Sequence, residues 1–272
     1  MRDILMRGIN PRPLAVARIL VGLVAFGFTF EWIRVLLRVS SGNYLTLPVV
    51  VGTPSPGREL VLTLFAISLG ASAAMILGLA GRVPAITVAL TTAAVLLLDQ
   101  QTYSNHMVLL FMLALFLGMS DSTQALSLSR SRHKTEVTYW PAFLIKSQIS
   151  VLYAWTAIAK INPQYLSGEV LGTFMQPWVP VPDGLLPAAA ILSVVTEAIL
   201  AVALWIPEVR IAAFVLGGGL HIGIVVALDS PAPLIGFGLL MLSGYVLFAS
   251  GSGRTYTPAS PKGKTAQLSA GI

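Results

Sequence analysis

Eight stretches of the sequence are almost entirely apolar, and their length leaves few folds open. A helix needs roughly 20 mostly apolar residues to cross the hydrocarbon core of a bilayer, and each stretch reaches or approaches that length. The runs are continuous and do not alternate with polar residues, which favours helices over the strands of a membrane barrel. In chain order the stretches cover about residues 14–31, 59–80, 84–98, 106–120, 141–160, 186–205, 211–228 and 231–249.

The composition agrees with a membrane-embedded chain. Only 10% of the residues are charged and 56% are hydrophobic, whereas a soluble domain usually carries about 25% charged residues. The sequence therefore predicts an all-α, polytopic transmembrane helix bundle with about eight spans. The lipid bilayer is its predicted partner. Residues 1–250 form the predicted membrane domain, and residues 251–272, rich in Ser, Gly, Pro and Lys, form a predicted disordered cytoplasmic tail.

The distribution of basic residues predicts the orientation. If the eight stretches cross alternately, one side receives eleven Lys and Arg residues and the other side receives four. Cytoplasmic loops carry the excess of positive charge, so both termini are predicted to be cytoplasmic. The same excess explains the net charge of +6 without nucleic acid as a partner. The four residues on the sparse side are Arg34, Arg38, Arg58 and Lys160.

Several chemistries are excluded by what the sequence lacks. There are no cysteines, which excludes disulfides, zinc–thiolate sites and iron–sulfur clusters. The three histidines, His106, His133 and His221, show no metal-ligand spacing, so no metal site is expected. The phosphate-binding loop of ATPases and the G-x-S-x-G motif of hydrolases are also missing. A transporter is disfavoured because no inverted repeat with matched broken helices is apparent.

Ionisable residues within apolar stretches are functional candidates by default. Lys146, Ser150, Tyr153, Ala157 and Lys160 follow a spacing that places them on one face of a helix. A lysine held against apolar surroundings loses its preference for the charged form and can act as a base. Lys160 is therefore a candidate base, and the alternative is a lysine that reaches the membrane interface.

Two further polar groups allow a structural and a functional interpretation. Glu197 and His221 lie at similar distances from the turn between their helices, which predicts a pair across the hairpin, either a helix clamp or part of a proton-handling site. Asn105 and His106 begin the fourth apolar stretch, as interfacial capping residues or as groups that orient a substrate. Residues 161–185 contain prolines beside aromatic residues, which predicts either an interfacial cap or a surface loop.

Several segments together resemble a known family. They are residues 103–110 (YSNHMVLL) with 118–121 (GMSD), then 146–168, which include Tyr153 and Lys160, then 210–221, 234–237 and 245–250. Over about residues 14–250, these segments resemble the HTTM (horizontally transferred transmembrane) domain family and, within it, the membrane domain of vitamin K-dependent γ-carboxylase. The same group is similar to bacterial membrane proteins that assist the maturation of a secreted peptide toxin.

The resemblance implies a quinone-dependent carboxylase or epoxidase in which Lys160 deprotonates a reduced naphthoquinone of the menaquinone or vitamin K type. His106 would assist, with Asn105 beside it, and Tyr153, Glu197 and His221 would shape the pocket. It further implies a peptide substrate or a partner membrane protein, and a multi-pass location in a bacterial plasma membrane. The alternative is a non-catalytic membrane component for the maturation, export or immunity of a secreted peptide.

Overall fold

The computed structural model describes residues 2–42, 45–50, 52–129 and 134–250, which are mostly helical. Every apolar stretch found in the sequence forms a helix, which confirms the predicted all-α class. The helices in chain order are α1 (Arg2–Met6), α2 (Arg12–Ser40), α3 (Arg58–Leu77), α4 (Val83–Leu98), α5 (Asn105–Gly118), α6 (Trp140–Ala159), α7 (Pro163–Leu166), α8 (Glu169–Phe174), α9 (Leu186–Ala203), α10 (Arg210–Ala227) and α11 (Pro231–Ala249).

Six of these helices, α2, α3, α6, α9, α10 and α11, are long and apolar enough to cross a membrane. The other two apolar helices, α4 and α5, have 16 and 14 residues and fall short of a usual span. A multi-pass, membrane-embedded protein is the architecture that these lengths support.

Proline marks the beginning of four of the eight apolar helices. Pro84, Pro141, Pro187 and Pro231 all stand in the first two positions of their helices. The missing N–H of proline costs nothing there, because the first amides of a helix have no partner within it. The predicted helix starts are confirmed at these four places.

Successive long helices run in opposite directions. In α2 and α3, for example, Gly22 faces Ile76, while about two turns further along α2 Thr29 forms a 2.9 Å hydrogen bond with Ser68. The alternation brings the beginnings of α5, α9 and α11 to the end of the bundle where α6 stops, which we call the Lys160 end. The opposite end, where α2 and α6 begin, is called the Arg7 end.

A short β-ribbon closes the Arg7 end. Strand β1 (Gly8–Ile9) pairs antiparallel with β2 (Val137–Thr138), and the amide of Tyr139 donates to the carbonyl of Arg7 at 3.0 Å. The ribbon joins the segment before α2 to the segment before α6, so it fixes the beginnings of these two helices relative to each other.

The connection between α6 and α9 is a folded cap at the Lys160 end. It contains α7, α8 and a 3₁₀ turn at Asp183–Leu185. The amide of Gln176 donates to the carbonyl of Ala227, and the amide of Asp229 donates to the carbonyl of Phe174, both at 2.8 Å. These bonds hold the connection against the end of α10, which favours the predicted cap over a loose surface loop. The predicted tail, residues 251–272, lies outside the described residues.

Candidate functional site

Lys160 directly follows α6 as its C-cap residue and forms an ion pair with Glu197 of α9. Its Nζ lies 2.6 Å from Oε1 of Glu197, and the two side chains are 25% and 7% exposed. The Nζ also lies 5.3 Å from the centroid of the Tyr165 ring. A cation and a carboxylate are therefore held together at the Lys160 end, largely away from water.

The turn after Lys160 explains how the third member of this group is positioned. The side chain of Asn162 accepts a 2.9 Å hydrogen bond from the amide of Tyr165 and so caps α7. The Tyr165 hydroxyl then contacts Ser193 Oγ at 2.8 Å. Ser193 and Glu197 are four residues apart and share one face of α9. One helix face thus orients both Lys160 and Tyr165, although neither Tyr165 nor Ser193 stands out in the sequence.

Glu197 has spare capacity as an acceptor. Its Oε1 accepts a hydrogen bond from Lys160 Nζ, but its Oε2 is buried and has no hydrogen-bond partner among the described residues. A buried carboxylate oxygen without a donor is costly and points to a group that gains or loses a proton, or that receives a donor from a ligand. This oxygen is the clearest chemical irregularity at the Lys160 end.

The predicted direct pair between Glu197 and His221 does not form, because each residue finds a different partner on α6. His221 Nε2 lies 2.9 Å from the Tyr153 hydroxyl, while Glu197 is bound by Lys160. Tyr153 and Lys160 are two turns apart on the same face of α6. Both predicted residues therefore approach that face, but at different heights.

Tyr153 is the centre of a second polar group. Its hydroxyl lies 2.9 Å from His221 and 2.6 Å from the hydroxyl of Tyr245 on α11. Tyr245 fits because Gly217 on α10 has no side chain, and a Cβ at that position would overlap the Tyr245 hydroxyl. Gly217 begins a run of three glycines, residues 217–219, and such a run permits the close approach of a neighbouring helix. Tyr245 lies in the family-like segment 245–250, but its contact with Gly217 has no signal in the sequence.

His106 and Asn105 lie at the same end of the bundle and apart from this group. The His106 ring is 4.8 Å from the Phe28 ring, and its Nε2 is 3.7 Å from Glu31 Oε1 without a hydrogen bond. Asn105 is exposed and accepts only a 3.3 Å hydrogen bond from the Tyr103 hydroxyl. The helix cap is the preceding residue, Ser104, whose hydroxyl accepts from the Met107 amide.

Aromatic rings contact both of the predicted histidines, His106 and His221. Phe28 packs against Gly236, whose lack of a side chain leaves room for the ring. The next residue, Phe237, lies 5.6 Å from the His221 ring, measured between centroids. The predicted site residues thus form three groups, and no described contact joins His106 to Lys160 or Tyr153. The described residues contain no group of three His, Asp or Glu side chains that could hold a metal ion.

The comparisons with known proteins identify one family. Neither a curated protein nor a solved structure matches the chain. The sequence model of the HTTM domain matches residues 6–222, which include α2 to α6, α9 and the part of α10 that carries His221. The chain therefore belongs to the HTTM domain family.

Proposed function

We propose that this protein is a membrane-embedded, quinone-dependent enzyme of the carboxylase or epoxidase type, with Lys160 as its base. The observation that carries the proposal is the partly buried pair of Lys160 and Glu197, in which Glu197 Oε2 has no hydrogen-bond partner among the described residues. Within the HTTM family, the resemblance to the membrane domain of vitamin K-dependent γ-carboxylase supplies the reaction class.

Lys160 can act as a base only as a neutral amine, and proton transfer within the ion pair can produce that form. A buried ion pair pays a desolvation penalty for two charges. Transfer of one proton from Lys160 Nζ to Glu197 Oε1, across 2.6 Å, converts it into a neutral pair and removes both charges. Lys160 can then accept a proton from a bound hydroxyl, and Glu197 holds the proton that Lys160 gave up.

A reduced naphthoquinone fits the donors and acceptors at this place. Its hydroxyl groups are donors, and the orphaned Glu197 Oε2 is an acceptor in need of one. The Tyr165 ring offers an aromatic face beside Lys160. When bound, a reduced naphthoquinone of the menaquinone or vitamin K type supplies the electrons for chemistry with oxygen. The residues of this chain bind it, orient its hydroxyl and hold the proton.

The proposal also covers the polar group around Tyr153, the peptide acceptor and the membrane location. Tyr153, His221 and Tyr245 would line the pocket on the α6 side, and His106 would face it from beyond Phe28. A secreted peptide with glutamate side chains is the proposed acceptor, and the bacterial plasma membrane the proposed location. We also propose eight crossings with cytoplasmic termini, which the alternating helix directions and the eleven-to-four distribution of basic residues favour.

The test measures quinone epoxide. Detergent-purified protein receives reduced menaquinone, bicarbonate and oxygen, and mass spectrometry detects the product. We expect epoxide from the native chain and none from the double variant Lys160→Met/Glu197→Gln, which removes both charges together and leaves neither one buried alone. Lys134→Ala, an exposed lysine at the Arg7 end, is the matched control and should retain activity. Equal epoxide from the native chain and the double variant would overturn the assignment.

A non-catalytic role is the second candidate, and the same ion pair favours it. Glu197 already neutralises Lys160, as expected of a clamp between α6 and α9. Only Ala213 and Gly217 of α10 are fully buried, and the exposed face of this helix is free to face lipid or a partner membrane protein. If the protein is a component for the maturation, export or immunity of a secreted peptide, the folded protein should produce no epoxide even when reduced quinone is supplied. It would also co-purify with its partner from native membranes.

A further inference from the structure

A lysine without a counter-ion is buried at the Arg7 end. The side chain of Lys146 is 5% exposed, and its Nζ lies 5.3 Å from the Tyr139 ring centroid and 5.2 Å from that of Phe248. Among the described residues it has no hydrogen-bond acceptor. Two aromatic faces give partial compensation for a buried ammonium, but they do not neutralise it.

A second cation shares one of these rings. The guanidinium carbon of Arg7 lies 4.2 Å from the Tyr139 centroid, and its Nε is buried without a hydrogen-bond partner in the described structure. The β-ribbon and the bond from the Tyr139 amide fix the Arg7 backbone in this place. Because Arg7 and Lys146 lie against the same ring, their charges repel each other at short range.

A third cation approaches from α10. Arg210 donates through Nε to the carbonyl of Leu204 at 3.0 Å and through Nη2 to that of Trp205 at 3.4 Å. The Trp205 ring packs on Phe248 at 5.1 Å between centroids, and Phe248 is one of the two rings that Lys146 contacts. The positive charges of Arg210 and Arg7 both act on the Lys146 ammonium.

None of the three cations forms an ion pair with a described carboxylate. The stretches outside the described structure, residues 1, 43–44, 51, 130–133 and 251–272, contain no Asp or Glu. The carboxylate of Glu136 lies over Gly8, next to Arg7, yet it forms no ion pair with Arg7. Arg7 and Lys146 therefore share the Tyr139 ring, the charge of Arg210 acts on Lys146, and no described carboxylate pairs with any of the three. An anion from outside the chain would compensate their charge.

We propose that Arg7, Lys146 and Arg210 bind a phosphate group, supplied by the headgroup of an anionic phospholipid. Guanidinium groups present donors in a fork that matches phosphate oxygens, and an ammonium adds a point charge. The cluster lies where helices begin and end, at the level of the headgroups, and basic pockets between helices bind lipid headgroups there. The aromatic rings exclude water on one side, which strengthens each charged contact.

The test titrates the detergent-purified full chain with phosphatidylglycerol, phosphatidylcholine or sodium phosphate and follows thermal unfolding by tryptophan fluorescence. Lys146→Met is the main variant. Arg58→Met, which removes an exposed cation at the Lys160 end, is the matched control. Without lipid, Lys146→Met should unfold at a higher temperature than the native chain, because it removes an uncompensated buried charge.

With phosphatidylglycerol the order should reverse. The native chain and Arg58→Met should gain thermal stability in a saturable way, and phosphatidylcholine should have a smaller effect. Half-saturation of Lys146→Met should require at least about tenfold more lipid, since one charged contact is lost. If sodium phosphate alone stabilises the native chain and abolishes the response to lipid, the site is confirmed with free phosphate as its source.

Other results would overturn the site. An equal response of all variants to phosphatidylglycerol, an equal response of the native chain to both lipids, or no response to lipid or phosphate contradicts it. If Lys146→Met does not purify in folded form, Arg7→Gln decides by the same criteria, because Arg7 lies in the segment before α2 and outside the bundle.

Discussion

The Nζ of Lys160 lies 2.6 Å from Oε1 of Glu197 and connects the last residue of the α6 segment to the middle of α9. The pair is more buried on the carboxylate side, where the second oxygen has no donor. The same contact therefore has two possible consequences. It clamps two helices, and it places a proton acceptor beside the only lysine at this end of the described bundle.

A double-mutant cycle on Lys160→Met and Glu197→Gln separates the pair energy from the effects of the single changes. We expect a coupling free energy of about 1–2 kcal/mol, at the lower part of the range for contacting residues because Lys160 is partly exposed. The double variant should lose less free energy of unfolding than the two single variants lose in sum. Urea or thermal unfolding in detergent measures the four proteins. A coupling of zero would mean that the contact does not persist in solution.

The polar group on Tyr153 should be a strong stability determinant. Tyr153→Phe removes the partner of both His221 and the Tyr245 hydroxyl, which are left within the bundle without it. We expect a loss of about 1–3 kcal/mol in the free energy of unfolding. Tyr103→Phe, at an exposed position, is the matched control and should change stability by less than about 0.5 kcal/mol. Equal effects of the two substitutions would contradict this role.

The packing of α10 on α11 depends on the absence of one side chain. Gly217→Ala places a methyl group against the Tyr245 hydroxyl and should cost about 1–3 kcal/mol. At the next residue, Gly218→Ala meets open space and should be neutral or stabilising by up to about 1 kcal/mol, because alanine favours helix. Thermal unfolding of both variants checks the contrast. Addition of Tyr245→Phe to Gly217→Ala should restore part of the loss, and a failure to do so would place the clash elsewhere.

An ion pair at the Arg7 end predicts a pH dependence. Burial alone would raise the pKa of Asp121, but hydrogen bonds from Arg82 at 2.6 Å and Lys134 at 3.0 Å, with their charges, lower its pKa below the usual 3.8. A lowered folded-state pKa means that Asp121 stabilises the fold above the unfolded-state pKa. This contribution is lost as pH falls through the folded-state pKa.

The measurement compares the native chain with Asp121→Asn from neutral to acidic pH. The difference in unfolding temperature should be constant above about pH 5 and should shrink below about pH 4. Because all three side chains are at least partly exposed, added salt should reduce the difference at neutral pH. A difference that stays constant to pH 3 would show that the carboxylate is not the cause.

The local pattern of the sequence was sufficient to predict the helices and several of their ends. Continuous apolar runs and a proline at the start of α4, α6, α9 and α11 are properties of neighbouring residues, and backbone hydrogen bonding within a helix depends on little else. The same reasoning placed Lys160 at the end of a helix, on one face with Tyr153. Its prediction of a direct pair between Glu197 and His221 across their hairpin was wrong, because each residue pairs with α6 instead.

The pairing of these side chains was decided by the tertiary structure. Which residue Glu197 meets depends on the rotation of α9 and α10 about their own axes and on the height at which each packs against α6. Neither quantity is encoded by spacing within a single helix. Tyr245, Tyr165 and the cluster of Arg7, Lys146 and Arg210 come from segments far apart in the chain. The sequence alone therefore determined the apolar helices and the types of polar residue they carry, whereas interhelical packing determined which of them interact.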